Sequence, residues 1–419
     1  MPNDQAVAFR NKHQDWQNHD CQAPQKVEHL VDLAKVEPLT DGGLRTSQLL
    51  SQALVKDPYH HEAQILLERL NQTFVPRWHF PMLADEVRNR AYAKAIAAKV
   101  KPGDVVLDIG CGAGLTAMLA ARAGAKHVYT CEQQPLIAQT AQRVIKQNGL
   151  ADRITVIPKM SHNLVVGVDI PEPADVVISE IVDTVLLGEG ALATLAHAMH
   201  RLAKPGARAI PERGALKAQL VESDQLLNQW RPEKAEGFDL GAFHRLAKVA
   251  QMTPNDLSAC QLRPLGPAKK LFQFNFMRPD IRVAQTRQHL ICSVAGTIHA
   301  VFVFFEMELS PGISLSNGLN SGGHWGRTAF LLDGPIPSKP CNLLPITASH
   351  DASQLSLVAD EIIAFSDEIN PSTVKMQGAS NGLDANSDEP VPKSISTPLN
   401  AISYERQSKR TANETRKTG

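Results

Sequence analysis

The stretch VVLDIGCGAG (residues 105–114) constrains the fold more than any other. An apolar, β-branched run ends in Asp108, and Gly110, Gly112 and Gly114 then open a segment with helical periodicity. Glycines at such a strand-to-helix turn let the backbone bend tightly and lie close to a ligand. The surrounding pattern alternates: helix 84–100, strand 105–108, helix 116–123, strand 127–131, helix 136–148, and strands 154–157 and 174–178. Strands separated by helical patterns imply an α/β fold with a doubly wound parallel sheet, so residues 76–211 read as a Rossmann-like cofactor-binding domain. Leu115 stands where a dinucleotide fingerprint has its third glycine. That spacing disfavours NAD and favours S-adenosyl-L-methionine.

Either side of this domain the character changes. In residues 1–75, TSQLLSQALVKDP and YHHEAQILLERLNQ each carry an apolar stripe, and Asp57-Pro58 breaks the chain between them. The pair resembles one tetratricopeptide-like repeat, whose stripe needs a further partner to be buried. From Gly214 the segments ALKAQLVES, KKLFQFNF, RQHLICSV and GTIHAVFVFFEMEL are extended and rich in β-branched or aromatic residues. They predict an antiparallel, β-barrel-like domain over 212–364, interrupted by a helical insertion at about 224–254. Residues 365–419 are short of large apolar side chains and are expected to be disordered.

Composition excludes several function classes. Lys+Arg and Asp+Glu both number 43, so the chain has no overall basic field and direct nucleic-acid binding is not expected. The six cysteines (21, 111, 131, 260, 292 and 341) form no CxxC pair, which argues against a disulfide framework and against a metal site. A polar N-terminus and the lack of a run of about twenty apolar residues predict no membrane span. The expected location is the cytoplasm, with the nucleus as the alternative.

Several acids fall where parallel sheets place their ligands. Strand 174–178 (ADVVI) opens directly into ISEIVDTVLLGEG, which puts Glu180 and Glu189 at the two ends of one loop with Asp183 between them. Glu132 ends the second strand about twenty residues beyond the glycines, where an acid can accept both ribose hydroxyl protons of a nucleoside. Met160 and Ser161 end the third strand, where an adenine ring would lie.

Taken together, these motifs resemble the protein arginine N-methyltransferase family, whose double-acid loop begins Ser-Glu and has its second Glu nine positions on, as Ser179-Glu180 and Glu189 do. SEIVDTVLLGEG, with EGFDLGAF at 236–243, is most similar to the branch of the seventh and ninth animal members. The likeness spans roughly residues 77–345. It implies that WHFPMLADEVRNRAY (78–92) supplies Arg88 to the methionine carboxylate of the cofactor, with His79 and Met82 beside it. It also implies that GGHWGRTAFLL (322–332) supplies His324, paired with Asp85, and Trp325, expected with Asp183 to bind substrate. The sequence departs from the family in four places. The Tyr-Phe-x-x-Tyr helix is reduced to Phe74, Gly323 stands for Thr, Ile181 stands for Trp, and one catalytic module is present where the animal relatives carry two.

Guanidinium is planar, delocalised and always protonated, so a site that methylates it must grip the plane and compensate its charge. Two converging carboxylates do both. The resemblance implies an arginine-containing protein substrate, Glu180, Glu189, His324 and Asp85 in catalysis, and a homodimer joined through Leu226, Leu227, Trp230 and Phe243. Two alternatives remain at this stage. One is a Rossmann-like methyltransferase acting on a small molecule or nucleic acid, and the other is a non-catalytic helical scaffold.

Overall fold

A computed structural model describes residues 26–364. Residues 1–25 and the tail expected to be disordered, 365–419, lie outside the described residues.

Helices α1 (Val27–Val36), α2 (Leu44–Lys56) and α3 (His61–Phe74) come first. The expected hairpin has its third partner in α1, whose Leu30, Val31 and Ala34 cover Leu49, Leu50 and Ala53 of α2 and Ala63 of α3. Asp57 ends α2, and its carboxylate accepts the Tyr59 N–H at 3.0 Å. The helix expected over 84–100 is α5 (Glu86–Lys99), and a further short helix, α4 (His79–Ala84), precedes it. Asp85 separates them: its backbone is extended and its side chain accepts the Arg88 N–H at 2.9 Å, a helix N-cap.

The central domain comprises β1 (Val105–Ile109), α6 (Leu115–Arg122), β2 (His127–Cys131), α7 (Pro135–Gln147), β3 (Ile154–Ile157), β4 (Ala174–Ser179), α8 (Ala191–His197) and β5 (Ala203–Ile210). Its five strands are parallel in the order β3-β2-β1-β4-β5. Every residue of β1 is buried, which is why its sequence runs apolar without alternation. The strand order reverses between β1 and β4, so the crevice for a ligand opens where the glycine turn and Glu180 leave the sheet. Strand β5 escaped the sequence pattern because Pro205 and Gly206 interrupt it at exposed positions.

The remaining elements are β6 (Arg213–Glu222), α9 (Asp224–Trp230), β7 (Lys234–Ala235), β8 (Phe238–Asp239), β9 (Val249–Met252), α10 (Pro254–Cys260), β10 (Arg263–Pro264), β11 (Lys269–Asn275), β12 (Ala284–Ile291), β13 (Gly296–Ser310), β14 (Ile313–Ser316), β15 (Arg327–Ser338), β16 (Leu343–His350) and β17 (Leu355–Ala359). They pair antiparallel as a seven-stranded sheet built on β6, β13 and β15, a three-stranded sheet β12-β16-β17, and the hairpin β7-β8. The insertion at 224–254 is mostly not helical. After α9 it runs as the hairpin and a short turn of 3-10 helix (Gly241–Leu246), and β9 joins the main sheet beside β15. Pro232, Gly237 and Gly241 explain the loss of helix.

One apolar core runs from the parallel sheet into the β domain, and Leu186 and Leu187 of the double-acid loop are fully buried in it. The loop that carries both acids is therefore anchored between them.

Candidate active site

On the cofactor side, Gly110, Gly112 and Gly114 all have positive φ. A Cβ on Gly110 would lie 2.8 Å from the Ile181 side chain, so glycine here lets the turn sit directly against the residue after Glu180. Glu132 braces the turn from β2, its carboxylate accepting the Gly112 N–H at 3.2 Å and the Gln134 N–H at 3.0 Å. Asp108 is buried beneath and accepts the Thr130 hydroxyl at 2.6 Å, and burial pushes its carboxyl up to about 6. From there it supports the turn that the cofactor-binding expectation assigns it to. His79 lies above the turn, stacked on Trp78 with ring centroids 4.0 Å apart, and Met82 is buried in α4. At the end of β3, Met160 is 50% exposed while Ser161 is buried.

Arg88 joins this side to the acid loop. Its side chain is buried, one guanidinium nitrogen donates to Glu180 Oε2 at 2.8 Å and the other to Asn89 at 2.9 Å. The guanidinium lies over the Tyr92 ring, 5.1 Å from its centroid, and the Tyr92 hydroxyl donates to the Ser179 carbonyl at 3.0 Å. Tyr92 was not singled out from the sequence, although its position one helical turn after Arg88 was the available signal. Arg88 Nε is buried with no hydrogen-bond partner among the described residues. An orphaned, charged donor beside a glycine turn and a ribose-type acid suits the carboxylate of S-adenosylmethionine, so the residues present fit that group.

The two acids differ sharply in setting. The Glu180 side chain is 7% exposed. Burial drives its carboxyl up to about 7 against the pull of Arg88, and the charge of Glu189 adds to the rise. Glu189 is exposed and holds a left-handed backbone, φ 58°, as does Leu186 at φ 62°. Non-glycine residues in that region cost roughly 1–3 kcal/mol each and persist where surrounding structure imposes them. Desolvation and the Asp183 charge raise the Glu189 carboxyl above its ordinary value.

The Asp183 carboxylate turns inward and accepts the Val185 N–H at 3.0 Å, and a Cβ on Gly188 would collide with it. These contacts tie it into the loop. Trp325 is likewise only 5% exposed; its indole N–H donates to the Val182 carbonyl at 3.3 Å and its ring meets Phe305 edge-on. It supports the acid loop from below.

His324 is brought to Asp85 across the domains. Asp85 Oδ2 receives both the His324 backbone N–H at 2.9 Å and the ring Nδ1 at 3.0 Å, while ring Nε2 stands 3.8 Å from Glu180 Oε1. Gly323 has φ 118°, and a Cβ there would press within 2.9 Å of that carboxylate oxygen. The departure from Thr thus permits the close backbone approach. Burial opposes ionisation of Asp85, but the Arg88 and His324 donors outweigh it and leave its pKa lowered. Burial, aided by the Arg88 and Arg327 charges, outweighs Asp85 in turn and keeps His324 neutral at lower pH than usual.

This geometry accords with what the chain is similar to. The chain is 40% identical over 266 residues to an arginine N(omega)-methyltransferase of Streptomyces achromogenes subsp. streptozoticus, covering 63% of this chain and 73% of that protein. The chain belongs to the arginine N-methyltransferase family. Within the family it is also similar to protein arginine N-methyltransferase 7 of Oryza sativa subsp. indica (32% identity, 66% of this chain and 44% of that one) and of Danio rerio (34%, 55% and 36%). The chain therefore spans less than half the length of those two relatives. The family model for ribosomal protein L11 methyltransferase (PrmA) matches residues 91–231, the part built around the parallel sheet. Among solved structures, the PRMT1 enzyme-prozyme heterotetrameric complex of Trypanosoma brucei with AdoHcy shares the fold at TM-score 0.56 and 22% identity, over 67% of this chain and 96% of that one. PRMT6 does so at 0.54 and 21%, over 67% and 98%.

Proposed function

We propose that this arginine N-methyltransferase transfers the methyl group of S-adenosylmethionine to a guanidinium nitrogen of arginine in a protein substrate. The observation that carries the reading is Glu180, a buried carboxylate shared between Arg88 and the His324–Asp85 pair, with Glu189 at the far end of the same loop.

When bound, the cofactor supplies an electrophilic methyl group on a sulfonium. Arg88 would hold its carboxylate and Glu132 its ribose hydroxyls. Glu180 and Glu189 accept guanidinium N–H bonds from opposite ends, so the plane is gripped and its charge compensated. A bound cation favours the ionised form of Glu180, whose pKa otherwise stands near 7. With Nδ1–H donated to Asp85, His324 presents an unprotonated Nε2 towards Glu180. As the guanidinium nitrogen takes the methyl group and the sulfonium leaves as the neutral thioether, the surplus guanidinium proton would pass by way of Glu180 to His324 Nε2.

A second reading, free arginine as acceptor, is favoured by the name of the Streptomyces relative, which specifies arginine and not protein. Incubation with labelled cofactor and either arginine peptides or free arginine, followed by mass spectrometry of the methylarginine isomers, decides between them. Label only on free arginine would overturn the protein reading.

The proposed assembly is a homodimer, and the proposed location is the cytoplasm. Of the contact residues expected from sequence, Leu226 is fully buried, and Leu227 and Trp230 pack on the core of their own β domain. Phe243 is 71% exposed, together with Phe238 at 74% and Leu246 at 70% on the same insertion. These three side chains are the better candidates for a contact between copies. Light scattering should give twice the chain mass, and Phe238→Asp with Phe243→Asp should halve it.

A further inference from the structure

We infer that Asn317 is the positioning residue that sets the acid loop and the His324 loop in register. The residue follows β14 directly and is 0% exposed. Its amide oxygen accepts the Phe305 N–H of β13 at 2.7 Å, and its amide nitrogen donates to the Thr184 carbonyl at 2.9 Å and the Gly326 carbonyl at 3.1 Å. Thr184 lies between Glu180 and Glu189, and Gly326 lies two residues after His324. One side chain thus ties both catalytic loops to the same rigid strand.

The chemistry of that junction selects an amide. Two carbonyls and one N–H converge on it, and a primary amide offers two donors and one acceptor from a single planar group. A carboxylate would set oxygens against both carbonyls and bury a charge. An aliphatic side chain of equal shape would leave the buried Phe305 N–H and the part-buried Thr184 carbonyl without this partner, and the Gly326 carbonyl with only Arg327 at 3.4 Å. The neighbouring ties restrain each loop without replacing this function: the Thr184 and Thr328 hydroxyls meet at 2.7 Å, while Arg327, buried with no acidic partner in contact among the described residues, donates to the Ser321 carbonyl at 2.7 Å, to the Gly326 carbonyl at 3.4 Å and to the Trp325 carbonyl. Those contacts run from the acid loop to β15, or stay within the His324 loop. Asn317 joins both loops and β13.

Because this inference rests on the proposed function, its test combines activity with a measurement that needs none. Asn317→Asp, Asn317→Leu and the milder Asn317→Ser are compared with wild type and with Phe302→Leu, a β-domain core variant chosen to lose similar stability. We expect kcat on the arginine acceptor to fall on the order of 100-fold in Asn317→Leu and further in Asn317→Asp, the size of loss that follows from displacing a positioned group by about an ångström. Affinity for S-adenosylhomocysteine should stay within threefold, and Phe302→Leu should keep its kcat. Amide hydrogen exchange over residues 182–189 should accelerate in the Asn317 variants and not in Phe302→Leu. Variants that bind the cofactor product while keeping kcat and exchange at wild-type values would overturn the inference. So would loss of folding in all three, which would assign Asn317 to general stability. A wild-type enzyme that methylates no arginine, but whose loop exchange still responds to Asn317, would sink the functional reading and leave this one standing.

Discussion

Glu180 and Glu189 close the two ends of one loop and carry the same group, yet the protein holds them by opposite means. Glu180 is buried, bonded to Arg88 and faced by His324, so its position is fixed by side-chain partners. Glu189 is exposed and is aimed by its backbone, which stands in the left-handed region and is braced from inside by Asp183 and the buried Leu186 and Leu187. The first acid is therefore coupled to the cofactor side and the second is not. A buried carboxylate can respond to what binds beside it, whereas one aimed by backbone offers a constant target to the incoming cation.

The largest effect that tests this difference is loss of each charge. Glu180→Gln should lower kcat on the order of 1000-fold and Glu189→Gln about 100-fold, the range found when a preorganised electrostatic contact is removed from a water-poor site. The pair should also split on cofactor binding. With an amide at 180, Arg88 loses its competing anion and S-adenosylhomocysteine should bind more tightly, whereas Glu189→Gln should leave that affinity unchanged. Isothermal titration of both variants checks this, and equal affinities would break the comparison.

Next in size is the cofactor side itself. Arg88→Ala and Glu132→Ala each remove charge-assisted bonds worth roughly 1.5–3 kcal/mol, and should weaken S-adenosylhomocysteine by about 10- to 100-fold. Only Arg88→Ala should also depress kcat at saturating cofactor, because only Arg88 touches Glu180. A kcat loss of the same size in Glu132→Ala would remove Arg88 from its bridging role.

A smaller effect belongs to the strained end. Asp183→Ala removes the acceptor for the Val185 N–H, and a lost bond of about 1 kcal/mol that relaxes the Glu189 backbone should cost kcat roughly fivefold. Peptides rich in arginine and peptides with neutral flanks should suffer equally, because the carboxylate is turned into the loop. A selective loss on basic peptides, measured at low salt, would return Asp183 to the substrate.

How legible each end was in the sequence follows from the range of the contacts that build it. The glycine turn, Glu132 and the spacing of the two acids are read from short segments whose elements fold locally, and the structure brings the turn against Glu132 and Ile181. The tie from Asp85 to His324 spans 239 residues, so only the family resemblance paired them, and the bridge from Arg88 to Glu180, which spans 92, was not foreseen. Asn317 and Arg327 carry no local signature, since what makes each one matter is the set of backbone groups it meets, and Tyr92 offers only its place one helical turn after Arg88. The inward turn of Asp183 and the burial of Trp325 were hidden for the same reason. Residue type shows what a group can bond to, whereas packing decides which way it points.

The finest test concerns proton affinity. With both substrates limiting, kcat/KM reports ionisations of the free enzyme. Glu180 must be ionised to grip a guanidinium, and its carboxyl stands at about 7. A carboxyl raised by burial is charged only above that value, so activity should climb with pH through a limb near 7, and substrate binding should release a proton. His324 must be neutral to accept one, and its lowered pKa puts that requirement at more acidic pH, out of the way of the Glu180 limb. The two ends of the loop then become distinguishable by sign. The negative charge of Glu189 contributes to the rise at Glu180, so Glu189→Gln should move the limb to lower pH. Arg88 opposes the rise, so Arg88→Ala should move it higher. Residual activity in both variants is measurable with labelled cofactor. If the limb stayed in place in both, it would belong to a group other than Glu180, and the coupling that distinguishes the buried acid from the exposed one would have no role in the reaction.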